Sequence, residues 1–430
     1  MSTVSKQTLA ILGAFDRLNY GDILFPVVID YALKKSSLVM PFESYGTKRS
    51  DLSHFGGGVS LSLRDLLAAT RDDIETILIV AGGEILDATW STVYSYLVPK
   101  YNEVLLRGLR RVLGTNMIDF LVRKAARADI MSPFILGRKD FRTPTRVFYN
   151  AVGGSALAQM RRSKLIRIGE KLAEASYISV RDLTTKNVLD SLDLPIKIEL
   201  APDSAAIISD IYPLEKLEPF ISNVIRKFLD DNQKGYICFQ SGRYIAYGRE
   251  KVIAEQLSEI GRRTGLPIVL LTIGHAVGHE DRVAIEKIRR YFPAKIAAVA
   301  PTILNIFDIM AAISHASVFA GTSLHGAITA ISYGIPYAAI CSNVPKLQEY
   351  LNTWYPLAAS HPYDFENLNA TIEEAMQSDL IELRKCRERM IRLAYQNFRN
   401  MFDIAFPDTK AKDTGNIKSD NSGSFASGLK

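Results

Sequence analysis

The chain has 430 residues, of which 47% are hydrophobic and 23% are charged, a composition that excludes disordered and fibrous proteins. This length exceeds what one hydrophobic core usually serves, so we expect two domains of roughly 200 residues each. A formal net charge of +6 favours anionic ligands or surfaces. The basic residues are not interleaved with aromatic rings and no DNA-reading helix is recognisable, so no nucleic-acid partner is predicted.

The cysteine pattern and the apolar runs indicate the compartment. Three widely spaced cysteines form no CxxC pair, which fits a reducing environment. No stretch approaches the roughly 18 uncharged apolar residues of a membrane span. The apolar segment Leu9–Phe15 is too short for a secretion signal, and we interpret it as the first strand. We therefore expect a cytoplasmic protein, with the inner face of the membrane as an alternative location.

Short β-rich runs alternate with amphipathic stretches along the first half of the chain, a pattern typical of parallel βα units. The predicted strands are Leu9–Ala14, Ile77–Ala81, Val147–Val152, Ile178–Arg181 and Ile196–Leu200. Apolar residues at helical spacing predict helices over Asp22–Leu33, Leu61–Thr70 and Lys164–Ala175. The pattern pauses between Asp203 and Pro213, which predicts a junction between an N-terminal domain over residues 1–212 and a C-terminal domain over residues 213–405.

The second half repeats the alternation. Its predicted strands are Tyr236–Gln240, Ile268–Ile273, Ala297–Val299, Ser317–Ala320 and Tyr337–Ile340, and its predicted helices lie near residues 218, 248–264, 280–291, 303–314 and 325–333. Residues 367–402 indicate one or two long helices that could cross back to the first domain, and residues 408–430 are expected to be disordered. The predicted fold class is α/β, with two doubly wound Rossmann-like domains in a GT-B-like arrangement and a cleft between them.

The most informative motif is Gly321-Thr322-Ser323-Leu324-His325-Gly326, which follows an apolar strand and precedes a helix of small residues. Hydroxyl groups, a histidine and the free N–H groups of a helix N-terminus would converge there. The carboxyl ends of parallel strands are also where such sheets bind their ligands. The motif therefore predicts an anion site, with a histidine that merely caps the helix as the alternative.

Three further motifs end predicted strands. Arg181 closes a strand and precedes Asp182, which is suited to cap the next helix. Arginine holds phosphate or carboxylate through two parallel bonds, and a local ion pair with Asp182 is the alternative. The segments Asn19-Tyr20-Gly21-Asp22 and Ala81-Gly82-Gly83-Glu84 place glycine at strand tips, where a backbone can approach a ligand closely, although such turns are also routine.

Together with residues 150–154 and the Pro202-Asp203 pair, these motifs occur in an order that resembles the polysaccharide pyruvyltransferase family, from about Gly13 to Ile340. The resemblance implies a GT-B-like fold and transfer of the carboxyethylidene group of phosphoenolpyruvate to two sugar hydroxyls, which gives a pyruvate ketal. It also implies a donor site around Arg181 and His325. Many members carry arginine directly before the Leu-His pair, whereas this chain has Ser323, so one expected phosphate contact is either missing or supplied by Arg181 or Arg243.

The transfer that the resemblance implies needs an acid, a base and positive charge, and Arg181 would supply the charge. His325 would supply a proton or hold the phosphate, and Asp22 or Glu84 would activate the sugar hydroxyl. The expected donor-binding residues are Arg181, Arg243, Gly321, Thr322, Ser323, Leu324 and Gly326, and the expected acceptor-side residues are Asn19, Gly21, Gly82 and Gly83. Phosphoenolpyruvate would be a co-substrate, and no cofactor is predicted. His275 and His279 are spaced like helical metal ligands, but the neighbouring glycines weaken that helix, so no metal site is predicted.

Two rival functions stay open. A nucleotide-sugar glycosyltransferase of the same fold would commonly hold the ribose with a carboxylate near the donor loop, which is Gly321–Gly326 here, yet residues 321–347 contain no Asp or Glu. A non-catalytic protein that binds a glycan or a membrane surface is favoured by Val104–Arg123, where leucines and arginines alternate in a basic amphipathic pattern. A solvated helix face explains that pattern as well. The expected partners are phosphoenolpyruvate and a saccharide acceptor, with a lipid-linked acceptor and a peripheral membrane contact as options.

Overall fold

The computed structural model describes residues 6–69, 74–95, 97, 108–125, 130–274, 281–294, 296, 298–340, 344–355 and 364–407. Their strands form two separate sheets, one in each half of the chain. The predicted α/β class with two Rossmann-like units is confirmed. None of the described helices combines the length and the apolarity that crossing a bilayer requires.

The first sheet has eight strands in the order β3-β4-β2-β1-β5-β6-β7-β8. They are β1 (Lys6–Leu12), β2 (Phe42–Gly46), β3 (Ser50–Asp51), β4 (Val59–Ser62), β5 (Ile74–Ala81), β6 (Thr145–Val152), β7 (Tyr177–Val180) and β8 (Ile198–Leu200). Every neighbouring pair is parallel except β3 and β4. The sequence did not predict β2, β3 and β4, because these short strands on one side of the sheet carry polar and partly exposed residues.

The second sheet has five parallel strands in the order β11-β10-β9-β12-β13. They are β9 (Ile237–Gln240), β10 (Ile268–Leu270), β11 (Ala298–Val299), β12 (Val318–Gly321) and β13 (Tyr337–Ala339). Each predicted strand of this half is observed, because a parallel strand buried on both faces reads as an unbroken apolar run.

The helices lie on both sides of these sheets. In the first half they are α1 (Tyr20–Lys35), α2 (Leu63–Ala68), α3 (Trp90–Ser95), α4 (Thr115–Ala125), α5 (Arg162–Leu172) and α6 (Leu183–Asp190). In the second half they are α7 (Ile208–Ile211), α8 (Leu214–Leu217), α9 (Asn223–Asp231), α10 (Glu250–Thr264), α11 (Asp281–Arg289), α12 (Ile306–Ser314), α13 (Leu324–Tyr333), α14 (Pro345–Trp354), α15 (Leu368–Met376) and α16 (Leu380–Ala405). Short 3-10 turns occupy Ser53–Phe55, Arg138–Asp140, Leu157–Gln159, Ser204–Ile207, Glu218–Phe220 and Phe365–Asn367.

Helix α2 begins later than the sequence predicts. Residues 61 and 62 end strand β4, and the helix starts at Leu63. The Ser62 hydroxyl accepts the Asp65 N–H at 3.2 Å and the Asp65 carboxylate accepts the Ser62 N–H at 2.9 Å. This reciprocal capping box fixes the helix start, because it satisfies two backbone donors that would otherwise be orphaned.

The strand order reverses beside β1 in the first sheet and beside β9 in the second. The chain builds outward from β1 to β2 and then returns to place β5 on the other side, and β9, β10 and β12 repeat this arrangement. Ligands of open α/β sheets bind where the order reverses, beyond the carboxyl ends of the strands. The loops after β1, β5, β9 and β12 all contribute to one cleft between the sheets.

The two halves share part of their core. One apolar cluster contains Phe25 of α1, Ile207 of the connection, Ile328 of α13 and Phe402 of α16, all of them buried. Helices α1 and α13 are further joined by a 2.8 Å hydrogen bond between the hydroxyls of Tyr20 and Thr329. The cleft therefore lies between two sheets whose flanking helices pack together.

The last helix, α16, packs against the first sheet, as the sequence suggested. Arg146 of β6 donates to the backbone carbonyls of Ile404 at 2.6 Å and Ala405 at 3.3 Å. The Tyr177 hydroxyl of β7 donates to the Asn397 side chain at 2.8 Å.

The proposed domain limits stay a prediction, and the tail over residues 408–430 lies outside the described residues.

Candidate active site

A cleft of about 470 Å³ lies between the carboxyl ends of the two sheets, within the roughly 300–1,000 Å³ of typical small-molecule sites. We call its two sides the N-terminal wall and the C-terminal wall. The N-terminal wall carries Arg17, Leu18, Asn19, Asp22, Gly83, Glu84, Asp87 and Arg181. The C-terminal wall carries Gln240, Arg243, Tyr244, Asp281, Thr322, Ser323, Leu324, His325 and Lys346.

On the C-terminal wall, hydrogen bonds fix the loop between β12 and α13. The Thr322 N–H donates to Gln240 Oε1 at 3.2 Å, and Thr322 Oγ1 accepts the Gly242 N–H at 3.0 Å. Ser323 caps α13, because its hydroxyl accepts the Gly326 N–H at 3.2 Å. Within the described part of the chain, the backbone amides of Leu324 and His325 have no partner. A helix N-terminus with unpaired amides facing a cleft is an anion site.

His325 lies where the two walls meet. Its Nε2 atom is 3.5 Å from Asp203 Oδ2, and its ring meets Phe25 edge-on with the centroids 5.5 Å apart. The ring also lies directly against Gly21, where any Cβ would collide with it. Burial alone would raise the pKa of Asp203, but His325 and Arg181 outweigh that effect and lower the pKa to about 2. The ionised Asp203 therefore lies where it can orient the imidazole.

Arg181 lines the cleft, but its guanidinium is paired within the protein. Its side chain is 2% exposed, with Nη1 donating to Asp203 Oδ2 at 2.8 Å and Nη2 donating to Glu84 Oε1. The local pair with Asp182, the alternative drawn from the sequence, does not form. Asp182 instead caps α6 by accepting the Thr185 N–H at 2.7 Å. A role for Arg181 in donor binding stays a prediction, and its present partners are two carboxylates.

Glu84 is held in its charged form. Besides the bond from Arg181, it accepts the Ser155 N–H at 2.7 Å. Burial would raise the pKa of Glu84, but the charge of Arg181 prevails and the pKa is lowered. Glu84 therefore stays ionised and bound to Arg181.

Two other carboxyl groups of this wall behave differently. Burial raises the pKa of Asp22, and Arg17, His325 and Lys346 offset only part of that effect. Burial and the nearby charge of Glu84 raise the pKa of Asp87 to about 6. Asp87 can therefore exchange a proton near neutral pH, and the pKa of Asp22 is shifted in the same direction.

Lys346 is the cation that the sequence did not single out. It lies in the first turn of α14, a helix that was not predicted although Pro345 is a typical first helical residue. Its charge acts on Asp22, Glu84 and Asp281, yet it forms no salt bridge within the described residues. Lys346 can therefore pair with a bound anion.

The predicted site residues divide into two groups. Those that line the cleft are His325, Asp22, Glu84, Arg181, Arg243, Thr322, Ser323, Leu324, Asn19 and Gly83. Those that shape it from behind are Gly21, Gly82, Gly321 and Gly326. Gly82 has φ of 93° and packs against Phe25, while Gly326 packs against Phe319, so neither position accommodates a side chain. His275 and His279 lie outside the described residues, and among the described residues no three His, Cys, Asp or Glu form a metal-binding group.

Carboxylates from distant segments reach the donor loop. Residues 321–347 contain none, but Asp203 approaches His325, and Asp281 of α11 accepts bonds from Gln240 Nε2 and the Gly274 N–H, both at 2.8 Å. Burial raises the pKa of Asp281 to about 6. Tyr244 also places an aromatic ring in the cleft. The absence of carboxylates along residues 321–347 is therefore no argument against a nucleotide donor.

Comparison with solved structures supports the fold. The UDP-GlcNAc 2-epimerase of Methanocaldococcus jannaschii, solved in complex with UDP-GlcNAc and UDP, is 12% identical, with a TM-score of 0.50 over 90% of this chain and 98% of that one. The α,α-trehalose 6-phosphate synthase of Burkholderia multivorans is 10% identical, with a TM-score of 0.50 over 96% and 99% of the two chains. These likenesses establish the GT-B-like arrangement.

Comparison with sequence families gives a more specific result. No curated protein sequence matches the chain. The family model described as polysaccharide pyruvyl transferase matches residues 19–340, which begin at Asn19 in the N-terminal wall and include the β12–α13 loop of the C-terminal wall. The chain therefore belongs to the polysaccharide pyruvyl transferase family.

Proposed function

We propose that this protein transfers the carboxyethylidene group of phosphoenolpyruvate to two hydroxyls of a saccharide, forming a cyclic pyruvate ketal and inorganic phosphate. The proposal rests on the composition of the C-terminal wall. His325, Lys346 and the free amides at the start of α13 line this side of the cleft. Membership of a pyruvyl transferase family supports the same reaction.

The donor is a small molecule with two anionic groups, and the C-terminal wall suits it. The amides of Leu324 and His325 can accept one anionic group, and the ammonium of Lys346 can pair with the other. Arg243 also lines this wall and brings a second positive charge. Lys346 and Arg243 would thus take over the contact that an arginine before the Leu-His pair makes in many family members.

The reaction requires a proton donor and a proton acceptor. Protonation of the methylene carbon creates an electrophilic centre at the adjacent carbon, and a sugar hydroxyl attacks it and loses its proton. Phosphate then leaves with the carbon–oxygen electron pair, and the second hydroxyl closes the ring. One of the two hydroxyl protons restores the acid that protonated the methylene carbon, and the released phosphate takes up the other.

His325 and the carboxyl groups of the N-terminal wall are suited to these transfers. His325, supported by ionised Asp203, is the proposed proton donor to the methylene carbon. Asp22 or Asp87, whose pKa values are raised, would accept the hydroxyl proton and pass it on. Glu84, ionised and bound to Arg181, would hold the acceptor in place rather than act as the first base. The acceptor is expected to be an exopolysaccharide or another cell-surface glycan.

A nucleotide-sugar glycosyltransferase is the rival that the fold allows, so the donor should be tested directly. The full chain is melted with phosphoenolpyruvate, with UDP-GlcNAc or with neither, at equal ligand concentrations. A ligand that binds only the folded state stabilises it by about 2.7 kcal/mol at a hundred times its dissociation constant, which shifts a melting curve by several degrees. We expect a shift with phosphoenolpyruvate, reduced in Lys346→Met, and none with UDP-GlcNAc. A shift with UDP-GlcNAc alone would overturn the proposal.

A further inference from the structure

Residues 108–125 present an unusual surface. Residues 108–113 are helical, Gly114 interrupts with φ of 78°, and α4 follows. Large apolar side chains that point into solvent are Leu109, Val112, Leu113, Met117, Phe120 and Leu121, with Val112 81% exposed. We call this set of residues the apolar ridge.

The exposure of the apolar ridge does not result from poor packing of α4, because the opposite face of this helix is buried. Ile118 and Val122, four residues apart, are buried. The Asp119 carboxylate accepts the Ser91 N–H at 2.9 Å, which ties α4 to α3. The helix thus has a formed inner face, and the exposure of Met117, Phe120 and Leu121 follows from its amphipathic sequence.

The charge around the ridge has one sign. Residues 108–125 carry four basic side chains, Arg110, Arg111, Arg123 and Lys124, against the single acid Asp119. Arg110 donates to the Ser91 carbonyl, and Asp119 accepts the Ser91 N–H, so both side chains are bound to the protein. The charge that remains on the surface is therefore positive. A basic amphipathic helix with exposed phenylalanine and leucine is typical of segments that lie in the interface of an anionic bilayer.

The ridge lies beside the cleft. Helix α3, to which α4 is tied, contributes Thr92 and Val93 to the cleft lining. Arg111 shares a surface hollow with Arg243 and Tyr244, and both of these also line the cleft. A continuous surface therefore leads from the apolar ridge to the proposed site.

We infer that residues 108–125 dock on an anionic membrane surface, so that the cleft receives a saccharide still attached to its lipid carrier. The apolar side chains would enter the headgroup region, and Arg111, Arg123 and Lys124 would pair with lipid phosphates. The lipid-linked acceptor rests on the proposed function, whereas membrane docking does not. Of the residues in the predicted basic stretch Val104–Arg123, 104–107 lie outside the described residues, and the docking surface is defined without them.

The first experiment measures sedimentation of the full chain with vesicles of phosphatidylcholine alone or mixed equally with phosphatidylglycerol. We expect binding to the mixed vesicles only, and weaker binding at high salt. The double variant Phe120→Ser and Leu121→Ser should lose at least about tenfold in vesicle affinity. Its matched control is Leu380→Ser and Ile381→Ser, which changes two apolar residues, each 63% exposed, in the first turn of α16.

A charge variant tests the electrostatic contribution to membrane docking. Lys124→Glu should weaken binding to the mixed vesicles roughly tenfold or more, since it removes one attraction and adds a repulsion. Arg384→Glu, on the exposed surface of α16, should change it little. Phosphoenolpyruvate should shift the melting curve equally in wild type and all four variants, which separates failure of docking from failure of the proposed function.

Three results would overturn the inference. One is that the wild-type chain fails to sediment with the mixed vesicles. Another is that the α16 controls lose as much affinity as the ridge variants. The third is self-association through the ridge: a wild-type dimer that the Phe120 and Leu121 changes convert to a monomer, without any vesicle binding.

Discussion

The two walls of the cleft use charge in opposite ways. On the N-terminal wall, Arg181 is bound to Glu84 and Asp203, so its positive charge is already matched within the protein. On the C-terminal wall, Lys346 and the amides at the start of α13 have no such partner among the described residues. Positive charge that is already matched stabilises the fold, and positive charge that is not matched is available to a ligand.

This difference indicates which substrate belongs to which wall. An anionic donor gains most where donors and cations are unpaired, which is the C-terminal wall. A neutral saccharide needs hydrogen-bonding groups and a proton acceptor, which Asp22, Glu84 and Asp87 supply on the N-terminal wall. If this division is right, substitutions on the two walls should disturb different properties of the protein.

The largest effect should come from His325. Replacing it by alanine removes the proposed proton donor, so phosphate release from phosphoenolpyruvate in the presence of acceptor should fall by about 10²- to 10⁴-fold. His54→Ala, which changes an exposed histidine of the first half, is the control and should keep full activity. Activity of His325→Ala within a few-fold of the control would remove His325 from the chemistry.

Arg181→Met should act on folding more than on donor binding. Removing the guanidinium leaves the buried Asp203 and the partly buried Glu84 without their cation, and breaking a buried pair in this way costs about 3–5 kcal/mol. Chemical denaturation should show this loss, while Lys346→Met should stay within about 0.5 kcal/mol of wild type. Wild-type stability in Arg181→Met, combined with weakened phosphoenolpyruvate binding, would instead give Arg181 the donor role expected from the sequence.

Gly21→Ala tests the contact between the walls. A methyl group there would collide with the His325 ring, and a displacement of about 1 Å in a catalytic group can cost 10²-fold in rate. Gly58→Ala is the matched control, since a Cβ at Gly58 meets nothing nearby. We expect loss of activity only in Gly21→Ala, with both variants folded. Equal activity in the two would show that His325 does not need its present position.

Lys346→Met should weaken donor binding without harming the fold. Loss of one charge-assisted contact is worth about 1.5–3 kcal/mol, which corresponds to roughly ten- to a hundredfold in the affinity for phosphoenolpyruvate. Calorimetric titration measures this directly, with Lys385→Met on α16 as the control. An unchanged affinity in Lys346→Met would mean that the anion binds elsewhere in the cleft.

The smallest effect concerns Asp87 and pH. Its pKa is raised from the ordinary 3.8 to about 6 in the folded chain, so folding favours the protonated carboxyl and this stabilisation is lost as pH rises from about 4 to 6. Asp87→Asn should therefore be more stable than wild type by about 1–3 kcal/mol at about pH 7.5, with the difference shrinking toward pH 4. Denaturation curves at the two pH values measure it. A difference that grows at low pH would show that the pKa is lowered instead.

The sequence predicted most of the sheets, because buried parallel strands are apolar runs that stand out from their surroundings. It missed β2, β3 and β4, whose short polar segments give no such signal. The β12–α13 loop was located correctly in the cleft because strand ends, caps and helix starts are local features. The pairing of Arg181 could not be located in the same way: Glu84 is 97 residues away and Asp203 is 22 away, whereas sequence proximity favours Asp182.

The same reason explains the other missed residues. Lys346 and Asp281 line the cleft although they lie on α14 and α11, outside the donor loop. Nothing in their immediate sequence marks them, apart from Pro345 at a helix start. Long-range charge pairs and tertiary approach are properties of the folded chain, so a single sequence gives little information about them.

Transfer itself is the most direct measurement. Glycan extracted from cells that lack this protein is incubated with the full chain and phosphoenolpyruvate labelled in its carboxyethylidene carbons, and the label in the glycan and the released phosphate are both counted. We predict one phosphate released for each labelled group gained, with the label in an acid-labile ketal and no transfer by His325→Ala. No label in the glycan, together with transfer of N-acetylglucosamine from UDP-GlcNAc under the same conditions, would contradict a pyruvyl donor and assign the cleft to a nucleotide sugar.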